Sequence, residues 1–343
     1  MKNKSSLFNI YFLLTAVLML ATSAMRTVAL LTSFDFESSY FTNTSLIGAA
    51  NKIVTAAVVL SLCYAFFAKR SRKLVFDFSS PLNYVFAGTL SAALALFAAH
   101  AFGIFFNHLG NIIRIGDAGK ARQPYFSLVL AVLALVAVGH FILGTLNLKA
   151  RNTKRADFGL IAVIFLAAYS AYLYFDNTLP LNAPSKVVDQ MAYIFSAIFF
   201  LYETRISIGR ERWPRYTAFG FAAMLLTSYS AIPSIIVYIV NGRLVSNSLF
   251  EILLTLSLLL FILARLALTG SLNEDNENRI VTMIKEAAAK RAVYLYAEKQ
   301  NPEAAEEIPE TEYAENREDY YELNFEGGDE PAAKNAEDEG ENI

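Results

Sequence analysis

Eight stretches of mostly apolar residues, each about 20 long, run through the first 270 positions of this 343-residue chain, and they restrict its fold more than any other feature. They lie near 8–32, 47–68, 82–106, 125–148, 157–175, 188–208, 216–240 and 248–268. Crossing the hydrocarbon of a bilayer, about 30 Å thick, takes about 20 residues at about 1.5 Å of helical rise each. Every stretch is long enough. Each is expected to be a helix, because a helix satisfies its own backbone donors and acceptors where there is no water to do so. The expected fold class is all-α, a polytopic integral membrane bundle of about eight transmembrane helices occupying residues 1–270 with membrane lipid as its solvent. A hydrophobic fraction of 55% points the same way, since a water-soluble fold of this size needs more charged surface.

The first stretch follows Lys2 and Lys4, as a signal peptide would, but it continues from Leu7 to Leu31 with only Arg26 inside. Cleavable signals have apolar cores of about 7–15 residues, so this one reads as an uncleaved first span. The single cysteine, Cys63, excludes an intramolecular disulfide and says nothing of redox compartment.

Charge divides the chain sharply. Residues 1–272 carry 22 Lys and Arg against 10 Asp and Glu, and residues 273–343 carry 7 against 21, so a net charge of −2 conceals +12 beside −14. With the amino terminus in the cytosol, 14 basic residues fall on inner connections, in groups at 2–4, 69–73, 149–155 and 205–215, against five on outer ones. That asymmetry follows the positive-inside rule. It puts both termini in the cytosol, and the short loops favour the plasma membrane of a bacterial host. Asn107 to Pro124 is the exception, read as a solvated outer loop with three basic residues.

Helices in lipid approach one another closely where small residues line the contact. Ser91, Ala95 and Ala99, with Gly88 and Ala92, are expected to make the third span central. Ala131, Ala134 and Ala137 in the fourth span and Ala218 and Ala222 in the seventh offer similar faces.

Ionisable residues at membrane depth are costly and usually turn inward to a partner. Thr227 to Ser234 sets five hydroxyl residues around Pro233, whose missing N–H leaves the carbonyl of Tyr229 without its helical donor and predicts a kink there. At the same outer depth lie Arg26, His100, Tyr169, Tyr172, Asp189 and Tyr193. Arg26, His100, Tyr172, Asp189, Tyr193, Tyr229, Ser230 and Pro233 are therefore the ligand-pocket candidates. Glu203 and Arg265 share a depth near the inner ends of their spans and are candidates for an interhelical ion pair. His100 and His140 lie about 15 Å apart along the membrane normal, too far to share a metal.

Past Gly270, Ser271 and Glu274 have capping-box spacing, and an amphipathic cytosolic helix is expected over 271–301. Residues 302–343 are acidic and poor in aliphatics, which predicts a disordered tail. Tyr313, Tyr320, Tyr321 and Phe325 within it are candidates for docking a cytosolic protein partner.

No metal pair, nucleophile elbow, phosphate loop or Cys/His cluster is present in the sequence. The reading is a non-catalytic multi-pass membrane protein, receptor-like sensor or scaffold, with no cofactor, no metal and no nucleic-acid partner. The alternative is a small-molecule transporter or permease with an outer-half polar pocket. Self-association into a homo-oligomer is compatible with either.

Overall fold

The computed structural model describes residues 5–67, 81–115, 122–147, 159–175, 180, 182–207, 213–245 and 248–270. The expected helix over 271–301 and the acidic tail over 302–343, with Tyr313, Tyr320, Tyr321 and Phe325, lie outside the described residues. The elements in chain order are α1 (Ser5–Ser33), β1 (Phe34–Asp35), β2 (Tyr40–Phe41), α2 (Ser45–Phe67), α3 (Pro81–Ile115), α4 (Arg122–Asn147), α5 (Gly159–Phe175), α6 (Pro184–Ser207), α7 (Trp213–Asn241) and α8 (Leu249–Gly270).

Among the described residues six helices, α1, α2, α3, α4, α7 and α8, are long and apolar enough to cross a membrane. The two others fall short for different reasons. α5 is apolar but covers 17 residues, and α6 has the length but carries Lys186, Asp189, Glu203 and Arg205. The outward faces of the apolar helices are themselves apolar. Leu13, Val17 and Leu20 on α1, Val59 on α2, Val85 on α3 and Val129 on α4 are all exposed. An apolar surface of this extent calls for lipid or another protein against it.

α7 is the axis of the bundle, in contact with α1, α2, α6 and α8. Every residue from Gly220 to Ala231 is buried, so this helix is enclosed on all sides. The central place expected for the third span belongs to α7 instead. In α3 the small residues Gly88, Ala92, Ala95 and Ala99 face outward, while Ser91 turns inward with the buried stripe of Ala87, Leu90, Ala93, Leu94, Phe97, Ala98 and Ala101. Small residues permit close approach, but they do not say which helix comes close. α3, α4 and α5 form an arc that joins α8 back to α6. Inside it Phe141, Phe200 and Phe261 pack with ring centroids 5.4–5.6 Å apart, and Phe97 sets its edge to Phe165 and Tyr169.

Two glycines carry the tightest helix contacts. A Cβ on Gly159 of α5 would collide with Thr204 of α6, and one on Gly220 of α7 would lie 2.8 Å from Leu266 and 3.1 Å from Phe199. The stretch expected as a loop from Asn107 is helical as far as Ile115, because Gly110 alone does not end a helix.

The α1–α2 connection is an ordered hairpin. Asp35 accepts the Glu37 N–H at 3.0 Å and the Ser38 hydroxyl at 2.6 Å, contacts that hold its carboxyl below the usual carboxylate range. Phe34, Phe36 and Phe41 fold over Leu30, Val237 and Val245, so the hairpin caps one end of α1 and α7. At that end Gly242, in the left-handed region with φ 65°, closes α7 by donating its N–H to the Tyr238 carbonyl at 2.9 Å.

Candidate functional site: a polar cluster around Pro233

Proline at 233 cannot donate to the carbonyl of Tyr229, and an orphaned carbonyl inside an apolar bundle is costly. α7 nevertheless continues through Pro233 to Asn241. Arg26 of α1, 2% exposed, supplies the missing donor: its Nη1 bonds the Tyr229 carbonyl at 2.7 Å. The same guanidinium lies 4.7 Å from the centre of the Tyr229 ring, a cation–π contact. The Tyr229 hydroxyl donates to Asn51 Oδ1 of α2 at 2.6 Å. Tyr229 of α7 is thereby tied to α1 through Arg26 and to α2 through Asn51.

The other side of α7 faces α5, α6 and α8. The Ser234 hydroxyl donates to the Ser230 carbonyl at 2.7 Å, and the Ser230 hydroxyl donates to the Asp189 carboxylate of α6. Asp189 and Arg26 are near enough to attract one another, but each bonds α7 rather than the other. Beyond Ser230 a narrow cavity opens between four helices. Its polar lining is Tyr169 of α5, Asp189 and Tyr193 of α6, Ser230 and Ser234 of α7, and Glu251 and Thr255 of α8, with Leu173, Ala231 and Ile252 as the apolar part. There is space for about one water molecule at its centre.

Three of these groups have assigned orientations. The Thr255 hydroxyl donates to the Glu251 carbonyl at 2.9 Å, so the Tyr193 hydroxyl, 2.5 Å from it, is the donor of that pair. The Glu251 N–H donates to the Ser248 Oγ at 3.3 Å, a capping contact that holds Glu251 in the first turn of α8.

No protein-family model, no curated protein and no solved structure matches this chain. Its chemistry must be read from its own residues.

Of the residues singled out in the sequence, Arg26, Asp189, Tyr193, Tyr229 and Ser230 come together here, with Pro233 acting through the carbonyl it frees. Two stand outside the cavity lining: His100 stacks on Phe250 with centroids 4.8 Å apart, and Tyr172 stacks on Phe126 at 5.8 Å and on Tyr169 of the cluster at 6.2 Å. At the opposite end of the bundle Arg265 Nε lies 3.1 Å from Glu203 Oε1, joining α8 to α6. Sequence reasoning missed Asn51, Glu251 and Thr255. A signal existed for Glu251: Ser248 and Glu251 have the spacing of a capping box, which places a carboxylate at the mouth of an apolar helix. Nothing in the sequence marks Asn51 or Thr255, whose roles come from what packs opposite them. Among the described residues no group of three His, Cys, Asp or Glu is placed to hold a metal ion.

Proposed function

We propose that this chain is a non-catalytic, eight-span protein of a bacterial plasma membrane that senses a small ligand outside and presents its cytosolic tail to a protein partner inside. One observation carries this reading. α6 and α8 each hold one end in the polar cluster, through Asp189 and Tyr193 and through Glu251 and Thr255, and are joined again at the other end by Glu203 and Arg265. A change at the cluster that shifts either helix is therefore felt at the distant ion pair. α8 then runs on to Gly270, where the acidic segment begins.

In this reading α5 and α6 are also spans. α5 lies at the short end of the usual range of about 17–25 residues. α6 keeps its charges at its two ends, with an uncharged run from Gln190 to Tyr202, and packs against α5 and α7, so it need not be as apolar as a lipid-facing helix. An even number of spans puts both termini on one side, and the basic connections make that side the cytosol. The hairpin end of the bundle is then the outside.

The rival reading is a small-molecule transporter, favoured by a proline within the most enclosed helix beside carboxylates. Against it, Tyr169 of the cavity lining packs on Phe97 and Phe165, and the bundle interior also holds the packed rings of Phe141, Phe200 and Phe261 and the Glu203–Arg265 pair. Deleting 302–343 separates the two. A sensor or scaffold loses the cytosolic protein that crosslinks to the full chain, whereas a transporter keeps substrate uptake after the same cut. Retention of every crosslinked protein by the truncated chain would sink the sensor reading.

A further inference from the structure

We propose that the open face of α2 is where two copies of this chain pair, side by side in the membrane about a two-fold axis. The inference goes beyond the sensor reading and needs only that α2 crosses the bilayer. α2 packs on α1 and α7 and leaves its other side open, with Ala49, Ile53, Val59 and Leu60 exposed. Asn51, Lys52 and Thr55 interrupt that apolar face, and all three are exposed. Polar side chains of a membrane helix ordinarily turn toward a protein partner, so their presence here calls for one.

Asn51 fixes the depth. The midpoint of α7 is Thr227, and Tyr229 stands two residues beyond it, about 3 Å along the axis. The Tyr229 hydroxyl donates to Asn51 Oδ1 at 2.6 Å, so the amide is held near mid-membrane and cannot follow the headgroups outward. Lys52 can, because its long stem lets the ammonium run to the interface. The N–H donors of the Asn51 amide have no hydrogen-bond partner among the described residues. In hydrocarbon only another protein group can supply an acceptor.

The same face carries that acceptor. The Thr55 hydroxyl, one turn along, donates to the Asn51 carbonyl at 2.8 Å and keeps lone pairs with which to accept. In a two-fold pair Asn51 of each copy donates to Thr55 of the other, so the face is complementary to itself. Spacing supports the contact. Gly48, Asn51, Thr55, Val58 and Leu62 alternate by three and four residues, as along the seam of two paired helices, and none of them is fully buried. A Cβ on Gly48 would meet nothing within 4 Å, which leaves room for a neighbouring helix to come close.

Cysteine crosslinking of the full chain tests this, in cell membranes and in purified vesicles, with Cys63→Ser as the background. Leu62→Cys lies on the seam and is expected to give a product of twice the chain mass in both settings, whereas Leu60→Cys, on the far flank of α2, is not. Thr55→Val keeps the side chain's shape but removes the acceptor and with it two hydrogen bonds per pair, so the protein-to-lipid ratio that gives half the yield should rise about eightfold. Gly48→Leu fills open space in the single chain and should abolish the product with Tm unchanged. No product from Leu62→Cys means that lipid covers the face, and a product of another mass, in cells only, means that a different protein does; either result overturns the proposal. So do equal yields from the two cysteine positions, or a yield unmoved by Thr55→Val and Gly48→Leu. None of these measurements involves the tail, so the pairing and the sensor reading can fail independently.

Discussion

Arg26 would be an expensive residue to bury without cause, and the cause is a single carbonyl. Pro233 removes the donor that Tyr229 would otherwise have, and the guanidinium replaces it from another helix. The two residues are therefore expected to be coupled. Arg26→Met should destabilise the protein by about 1–3 kcal/mol, since it leaves the carbonyl unsatisfied in an apolar interior. Pro233→Ala restores an N–H at 233, so Arg26→Met in that background should cost clearly less. A double-mutant cycle by denaturant unfolding in detergent measures the difference. Additive costs would mean that the bond contributes nothing. The sequence already contained half of this pair, because the freed carbonyl can be counted from Pro233 alone. Which neighbouring helix would answer it could not be counted, since that depends on the rotation of α1.

At the scale of elements, the helices hold together where side chains are absent as much as where they are present. Gly220 lets α7 meet Leu266 of α8 and Phe199 of α6, whereas Gly88 of α3 has nothing within 4 Å of where its Cβ would stand. Gly220→Val is expected to cost about 1–3 kcal/mol through overpacking. Gly88→Val should leave stability unchanged or slightly raised. Melting of the two variants side by side checks this, and equal effects would contradict the placement of α7 at the centre. Both glycines sit among small residues in the sequence, and composition cannot separate them. The buried faces of α4 and α7, with Ala131, Ala134, Ala137, Ala218 and Ala222, and the outward small face of α3 carry the same local pattern. Only the contact partner distinguishes them.

For the whole molecule, the governing quantity is which side of the membrane each end occupies. The positive-inside asymmetry and an even count of spans predict that a reporter active only in the cytosol, fused after Ile343, is active, and that one placed in the Phe36–Tyr40 hairpin is not. The reverse pattern would turn the polar cluster toward the cytosol and remove the basis for an outside ligand. α6 is the element on which the count turns, because its charged ends disguise it as a surface helix. Hydropathy scales treat every residue of a span as if it faced lipid, and α6 faces α5 and α7 instead.

Hydrophobic length, charge asymmetry and the position of a proline are properties of the chain taken one segment at a time, and they sufficed to dictate a helical body with helices apolar enough to cross a membrane and a carbonyl in need of a donor. The axis at α7, the cavity with Glu251 and Thr255 in it, and the choice of Arg26 as the donor were decided only in three dimensions. In lipid every apolar face is equally content with its solvent, so the rotation and neighbours of each helix are set by the fit of small residues and the pairing of buried polar atoms across helices. Those pairings join positions as far apart as Arg26 and Tyr229, and no local pattern in the chain encodes them.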